Sequence, residues 1–263
     1  MSAERISQLA FFGATAVLFA VGVTETIRWS TSMSAMGEMP MPGGWTLSNA
    51  WTHMCGQTWF SSATSFIGMW MLMMVAMMLP SFVPVLWGCR AAFGRISGTC
   101  LARLTALMGA GYFSVWMAFG MVAYAVGVTL AALELQWPAL ARAVPIAAAL
   151  VVLGSGALQL SVWKAHHLAC CRTAPSHVGA LPVHAGTVWQ CGMRHGLHCA
   201  YCCAGLTAML LVIGIMDLRM MLFVTVAITA ERLLPHGERV ARGVGVVVVG
   251  AGVWLIVRAA LLI

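Results

Sequence analysis

Charge is the scarcest commodity in this chain. Only 8% of its 263 residues are charged, and seven are acidic, where a soluble domain would carry about a quarter. So few charges cannot clothe the surface of a water-soluble protein of this length. The usual marks of energy coupling and hydrolysis are also missing. There is no phosphate-binding Walker motif, no glycine fingerprint for a dinucleotide and no Ser-His-Asp arrangement. An ATP-driven pump is therefore not encoded in this chain alone, and an enzyme is the less expected class.

What fills the chain instead is apolar. Hydrophobic residues make up 61% and the mean hydropathy is +0.92. A bilayer is the solvent that suits such a composition. Each spanning helix needs ~20 mostly apolar residues, and open backbone polar groups are not tolerated in lipid. The fold class expected is all-α, a polytopic transmembrane bundle of six or seven helices forming one domain over 1–263. Spans are expected near 6–27, 62–88, 104–130, 142–163, 196–216, 218–234 and 243–263, with longer connectors near 28–61 and 164–195. The sixth is the weakest, being short and ending in Glu231 and Arg232. The first is long for a secretory signal and is followed by no small-x-small cleavage pattern, so an uncleaved helix is expected.

Basic residues set the orientation. With the N-terminus inside, Arg5, Arg90, Arg95, Arg103, Lys164, Arg172, Arg194, Arg232, Arg239 and Arg242 fall on the cytoplasmic side. Arg28, Arg142, Arg219 and Arg258 fall outside. The expected location is the cell's inner (plasma) membrane, multi-pass, with the lipid bilayer as the first partner. Positive inner loops account for the net charge of +7 without a nucleic-acid partner.

Nine cysteines is many for this length, and six lie between Cys170 and Cys203. At a cytoplasmic face thiols stay reduced and serve as ligands or catalytic groups. The inner segment 164–203 contains His166-His167 and Cys170-Cys171, then Cys191, His195, His198, Cys199, Cys202 and Cys203. On a helix, residues three or four apart share a face. That puts His195 with Cys199, His198 with Cys202, and Cys199 with Cys202 or Cys203. Thiolates with imidazoles suit Cu(I), with Zn(II) as the alternative, whereas hard cations want oxygen. Buried cysteine also serves as a small apolar residue. A C-x-x-C pair can instead support thiol redox chemistry, which makes Cys199 and Cys202 the candidate pair of a membrane redox enzyme.

Methionine is the other excess, at twenty. The second span runs Met69-Trp-Met-Leu-Met-Met-Val-Ala-Met-Met-Leu-Pro80. Its helical spacing draws Met69, Met73 and Met77 into one stripe and Met71, Met74 and Met78 into another. Thioethers are soft ligands, although methionine also fills gaps in a bundle. Pro80 and Pro84 are expected to kink this helix. The outer loop 28–61 holds Met33, Met36, Met39 and Met41, then His53, Met54 and Cys55. That spacing suggests a soft-metal collector, flanked by tryptophans of an interfacial belt.

Several of these segments resemble a known family. They are Ala-Met-Met-Leu-Pro at 76–80 within Trp70 to Pro84, and Gln159, Lys164, Cys171-Arg172 and Pro175. To these add Gly196, Cys199, Cys202-Cys203, Met209, Gly214, Met216, Met220, Glu231-Arg232-Leu233 and Pro235. Together they are similar to the predicted metal-binding integral membrane proteins of domain of unknown function 2182. The chain departs from that pattern at Leu158, His167-Leu168, Ala204 and Arg232, where the family usually has tyrosine, Cys-Leu, tryptophan and lysine. The resemblance implies metal binding and brings no enzymatic activity with it.

The sequence thus points to soft-metal handling, transport or delivery, with a metallochaperone or another membrane subunit as protein partner. The two other readings it leaves are the thiol-redox enzyme and a structural subunit of a larger membrane complex.

Overall fold

A computed structural model describes residues 3–35, 37, 39–51, 58–92, 98–172 and 184–261. The chain is an all-α bundle: α1 (Ala3–Ala35), α2 (Trp59–Ala92), α3 (Gly98–Gln136), α4 (Pro138–Gln159), α5 (Val162–Arg172), α6 (Ala185–Ile213), α7 (Leu218–Leu233) and α8 (Gly237–Leu261). Six of these, all but α5 and α7, are long and apolar enough to cross a membrane.

The long apolar segments fold as expected, but the connectors do not stay empty. The stretch 164–195 holds most of α5 and the first turns of α6. Within 28–61 lies a small hairpin, β1 (Met39–Met41) and β2 (Trp45–Leu47), paired antiparallel with Met39 opposite Leu47. Its turn uses Gly43 and Gly44 at φ of 107° and 76°, a backbone region that glycine enters without a Cβ clash. The hairpin is anchored by Trp45 Nε1 donating to the Ala141 carbonyl at 2.8 Å. Met41 and Leu47 pack against Ala131 and Ala141 at the α3–α4 end.

α2 is the centre of the bundle. Its buried face carries Met69, Trp70, Met73, Met74, Met77, Met78, Phe82 and Cys89, while Pro80 and Pro84 lie inside one unbroken helix. The expected proline kink therefore does not interrupt the helix. α7 has 16 residues, short of the ~20 of an average span. It is nevertheless packed in the interior through Met221, Val224, Ala227, Ile228, Glu231 and Arg232. Asp217 caps it by accepting from the backbone N–H groups of Arg219 and Met220, which satisfies donors that the first turn leaves open.

Two helix pairs approach closely, α3 with α6 and α4 with α8. Glycine permits the first. A Cβ placed on Gly196 would stand 2.8 Å from the Tyr112 carbonyl oxygen, and one on Gly192 would collide with the Met108 carbonyl. Small residues four apart let two backbones meet in this way inside a membrane. That contact seats Tyr112 of α3 beside the cysteines of α6.

Candidate metal centre

Four thiols from α5 and α6 converge in the core. Cys171, Cys199, Cys202 and Cys203 are all buried. Cys202 is close enough to interact with Cys171 and with Cys203, and Cys203 with Cys199. The α6 members follow from helical spacing, since 199, 202 and 203 fall on one face. α2 brings a thioether, with Met78 Sδ 4.0 Å from Cys199 Sγ. α3 brings the Tyr112 hydroxyl, 2.8 Å from the same sulfur. The Tyr112 ring is held by Phe82 of α2, stacked at 3.9 Å between centroids.

A guanidinium closes the site from α7. Arg232 is buried, and its side chain donates toward Cys203 Sγ at 3.5 Å, Cys171 Sγ at 3.7 Å and Ser81 Oγ at 3.3 Å. Its Nε has no hydrogen-bond partner among the described residues. The neighbouring Glu231 does not serve it. Glu231 is paired with Lys164 at 2.6 Å and accepts from Gln159 Nε2 at 2.7 Å. Lys164 also donates to the Cys202 carbonyl at 2.8 Å. The Lys164–Glu231 pair is thus neutral as a unit and ties α5, α6 and α7 together, while Arg232 faces sulfur.

His195, one turn before Cys199, is buried near this group. Its ring lies 5.7 Å from Phe82 and 6.0 Å from Tyr112, and its Nε2 has no hydrogen-bond partner among the described residues. Among the described residues, no group of three or more His, Cys, Asp or Glu side chains is placed to hold a metal ion together. The sulfurs meet pairwise, in contact with one another and with Arg232.

The other sequence candidates are placed as follows. Cys170 is half-buried beside Cys171 on α5, and Cys191 is half-buried two turns before Cys199, near Cys89 of α2. His198 faces α5, its ring 5.7 Å from that of His167. Met73, Met74 and Met77 are buried in the central apolar core, and of the α2 methionines it is Met78 that contacts a pocket sulfur. In the outer segment, Met33 lies in the last turn of α1, Met39 is exposed and Met41 is buried under the hairpin. Met36, His53, Met54 and Cys55 lie outside the described residues.

Sequence reasoning did not assign Tyr112, Ser81 or Arg232 to the thiols. Arg232 carried a signal, as a charge inside an apolar segment. Tyr112 and Ser81 carried none, because their role depends on which helices touch.

The comparisons agree with the donor chemistry. The family model of PpoB2, described as a copper chaperone, matches residues 67–255. The chain belongs to the PpoB2 copper chaperone family. No curated protein matches the chain, and no solved structure does. The matched region of this PpoB2 member contains every residue of the thiol pocket, while α1 and the hairpin precede it.

Proposed function

We propose that this PpoB2 member is a membrane-embedded Cu(I) carrier or delivery factor whose cargo is held by a pair of thiolates drawn from Cys171, Cys199, Cys202 and Cys203, with Met78 as a weaker donor. The observation that carries the reading is the contact of four buried thiols with a buried guanidinium that has no carboxylate partner among the described residues. An uncompensated charge in the interior costs several kcal/mol. A thiolate is the anion within reach of Arg232. Two thiolates with Cu(I) carry one net negative charge, which Arg232 neutralises. The same pair with Zn(II) would be neutral and leave the guanidinium unpaired.

Donor type and arrangement favour the same ion. Thiolate and thioether are soft ligands that select Cu(I). A structural zinc site is a closed tetrahedron of four ligands, whereas Cu(I) is held by as few as a pair of thiolates, which fits sulfurs that meet pairwise. In this reading the chain lies in the plasma membrane with its N-terminus inside, and it passes copper to or from a metallochaperone or a membrane subunit.

Metal analysis of protein purified anaerobically tests the proposal. The unsubstituted chain should bind Cu(I) in competition with a Cu(I) chelator and show sulfur neighbours by X-ray absorption. Cys199→Ser with Cys202→Ser should lose that binding. A copper-free protein that forms a Cys199–Cys202 disulfide would replace this reading with the thiol-redox one.

A further inference from the structure

The thiol pocket has a second group of donors at its edge. His167 of α5 and His198 of α6 face one another with ring centroids 5.7 Å apart. Both Nδ1 atoms are shut off from solvent, and neither has a hydrogen-bond partner among the described residues. The ring of His166, which is exposed, lies 5.4 Å from that of His167. Trp163 and Tyr201 pack on His167 at 4.6 and 5.4 Å and form an aromatic rim.

A buried imidazole nitrogen without a partner is costly, and this place has a facing pair. The separation matches joint coordination. A metal–nitrogen bond of ~2.0 Å, with about 1.1 Å more to the ring centre, sets two rings on one ion about 5–6 Å apart. The register of the helices adds direction. His167 precedes Cys171 by one helical turn on α5, and His198 precedes Cys202 by one turn on α6. Those two thiols are close enough to interact with each other. The half-exposed imidazole pair therefore stands about 6 Å, one turn on each helix, from the buried thiol pair.

We propose that His167 and His198 form a second copper site, an imidazole entry or exit station from which the ion moves one helical turn to Cys171 and Cys202. The transfer is ligand exchange, nitrogen for sulfur, with no change in oxidation state. Two imidazoles leave coordination positions open for a donor or acceptor molecule's own ligand, as an exchange site requires. Arg194 is close enough to act electrostatically on His198, which disfavours a tightly held cation and suits brief residence. The relay half of this inference rests on the thiol pocket as the Cu(I) site; the imidazole site itself does not.

The test uses the full chain in detergent. A variant with serine at Cys171, Cys199, Cys202 and Cys203 should still bind one Cu(II) ion, with imidazole nitrogen couplings in its electron paramagnetic resonance spectrum. Adding His167→Gln and His198→Gln should weaken that binding at least about tenfold. In the cysteine-intact protein the same two glutamines should slow Cu(I) loading while leaving its equilibrium affinity unchanged. Cu(II) binding indifferent to both histidines, or unaltered loading kinetics, would overturn the proposal. Loss of Cu(I) affinity in the unsubstituted chain, with Cu(II) still held by His167 and His198, would instead count against the thiol pocket.

Discussion

The Tyr112 hydroxyl and the Cys199 sulfur lie 2.8 Å apart across the α3–α6 interface. Both groups are buried, and the phenol ring is fixed by its stack on Phe82. A hydrogen bond to a charged acceptor is worth about 1.5–3 kcal/mol, so the phenol stabilises a thiolate at this place more than a neutral thiol. Tyr112→Phe keeps the ring and removes the donor. Its expected effect is Cu(I) affinity lowered at least about tenfold with little change in thermal stability. Chelator competition read beside thermal unfolding checks both halves.

The same interface depends on Gly196, where a methyl group would press on the Tyr112 carbonyl at 2.8 Å. In an exposed helix, glycine to alanine stabilises by about 1 kcal/mol. Gly196→Ala should reverse that sign, separate α3 from α6 and weaken copper binding together with stability. Gly154, whose added Cβ would meet nothing, is the control and should tolerate alanine. Equal tolerance at both positions would mean that the close approach does not hold the site.

Lys164 and Glu231 form a buried pair at 2.6 Å. Removing one partner leaves the other charged and alone, at a cost of about 3–5 kcal/mol, whereas removing both is far milder. Lys164→Met and Glu231→Gln should each destabilise the chain strongly, and the double variant should recover much of the loss. A double-mutant cycle by thermal unfolding measures this coupling. An additive result would show that the two residues act separately.

Much of this was legible in the sequence, and the boundary has physical causes. Long apolar segments report helices because lipid leaves few alternatives. The co-facing of Cys199, Cys202 and Cys203 follows from helical period alone. By contrast, the meeting of Cys171 with Cys202, and of Tyr112 with Cys199, depends on how helices far apart in sequence pack. His198 shows the limit most clearly. Its spacing groups it with Cys202, and both do face α5, but that its ring meets His167 there could not be read from the period of α6 alone. In the α2 stripes, spacing alone did not separate Met78, which meets a thiol, from Met73 and Met77, which fill the core.

The outer methionines allow a sharp distinction between collecting metal and packing. Met39 and Met41 are two apart on β1, so they share a face of the hairpin, and burial rather than face tells them apart. Met39 is 44% exposed and Met41 only 8%. Met41 packs with Leu47, Ala131 and Ala141, and truncating a buried methionine costs about 2–5 kcal/mol. Met41→Ser should therefore loosen the hairpin from the α3–α4 end, raising protease sensitivity in that segment. Met39→Ser should leave stability unchanged. If the segment collects copper from outside, Met39→Ser should slow Cu(I) uptake into proteoliposomes at limiting copper, with the thiol pocket's affinity intact. Unchanged uptake in Met39→Ser, with a stability loss confined to Met41→Ser, would assign both residues to the fold and leave copper capture to another part of the chain.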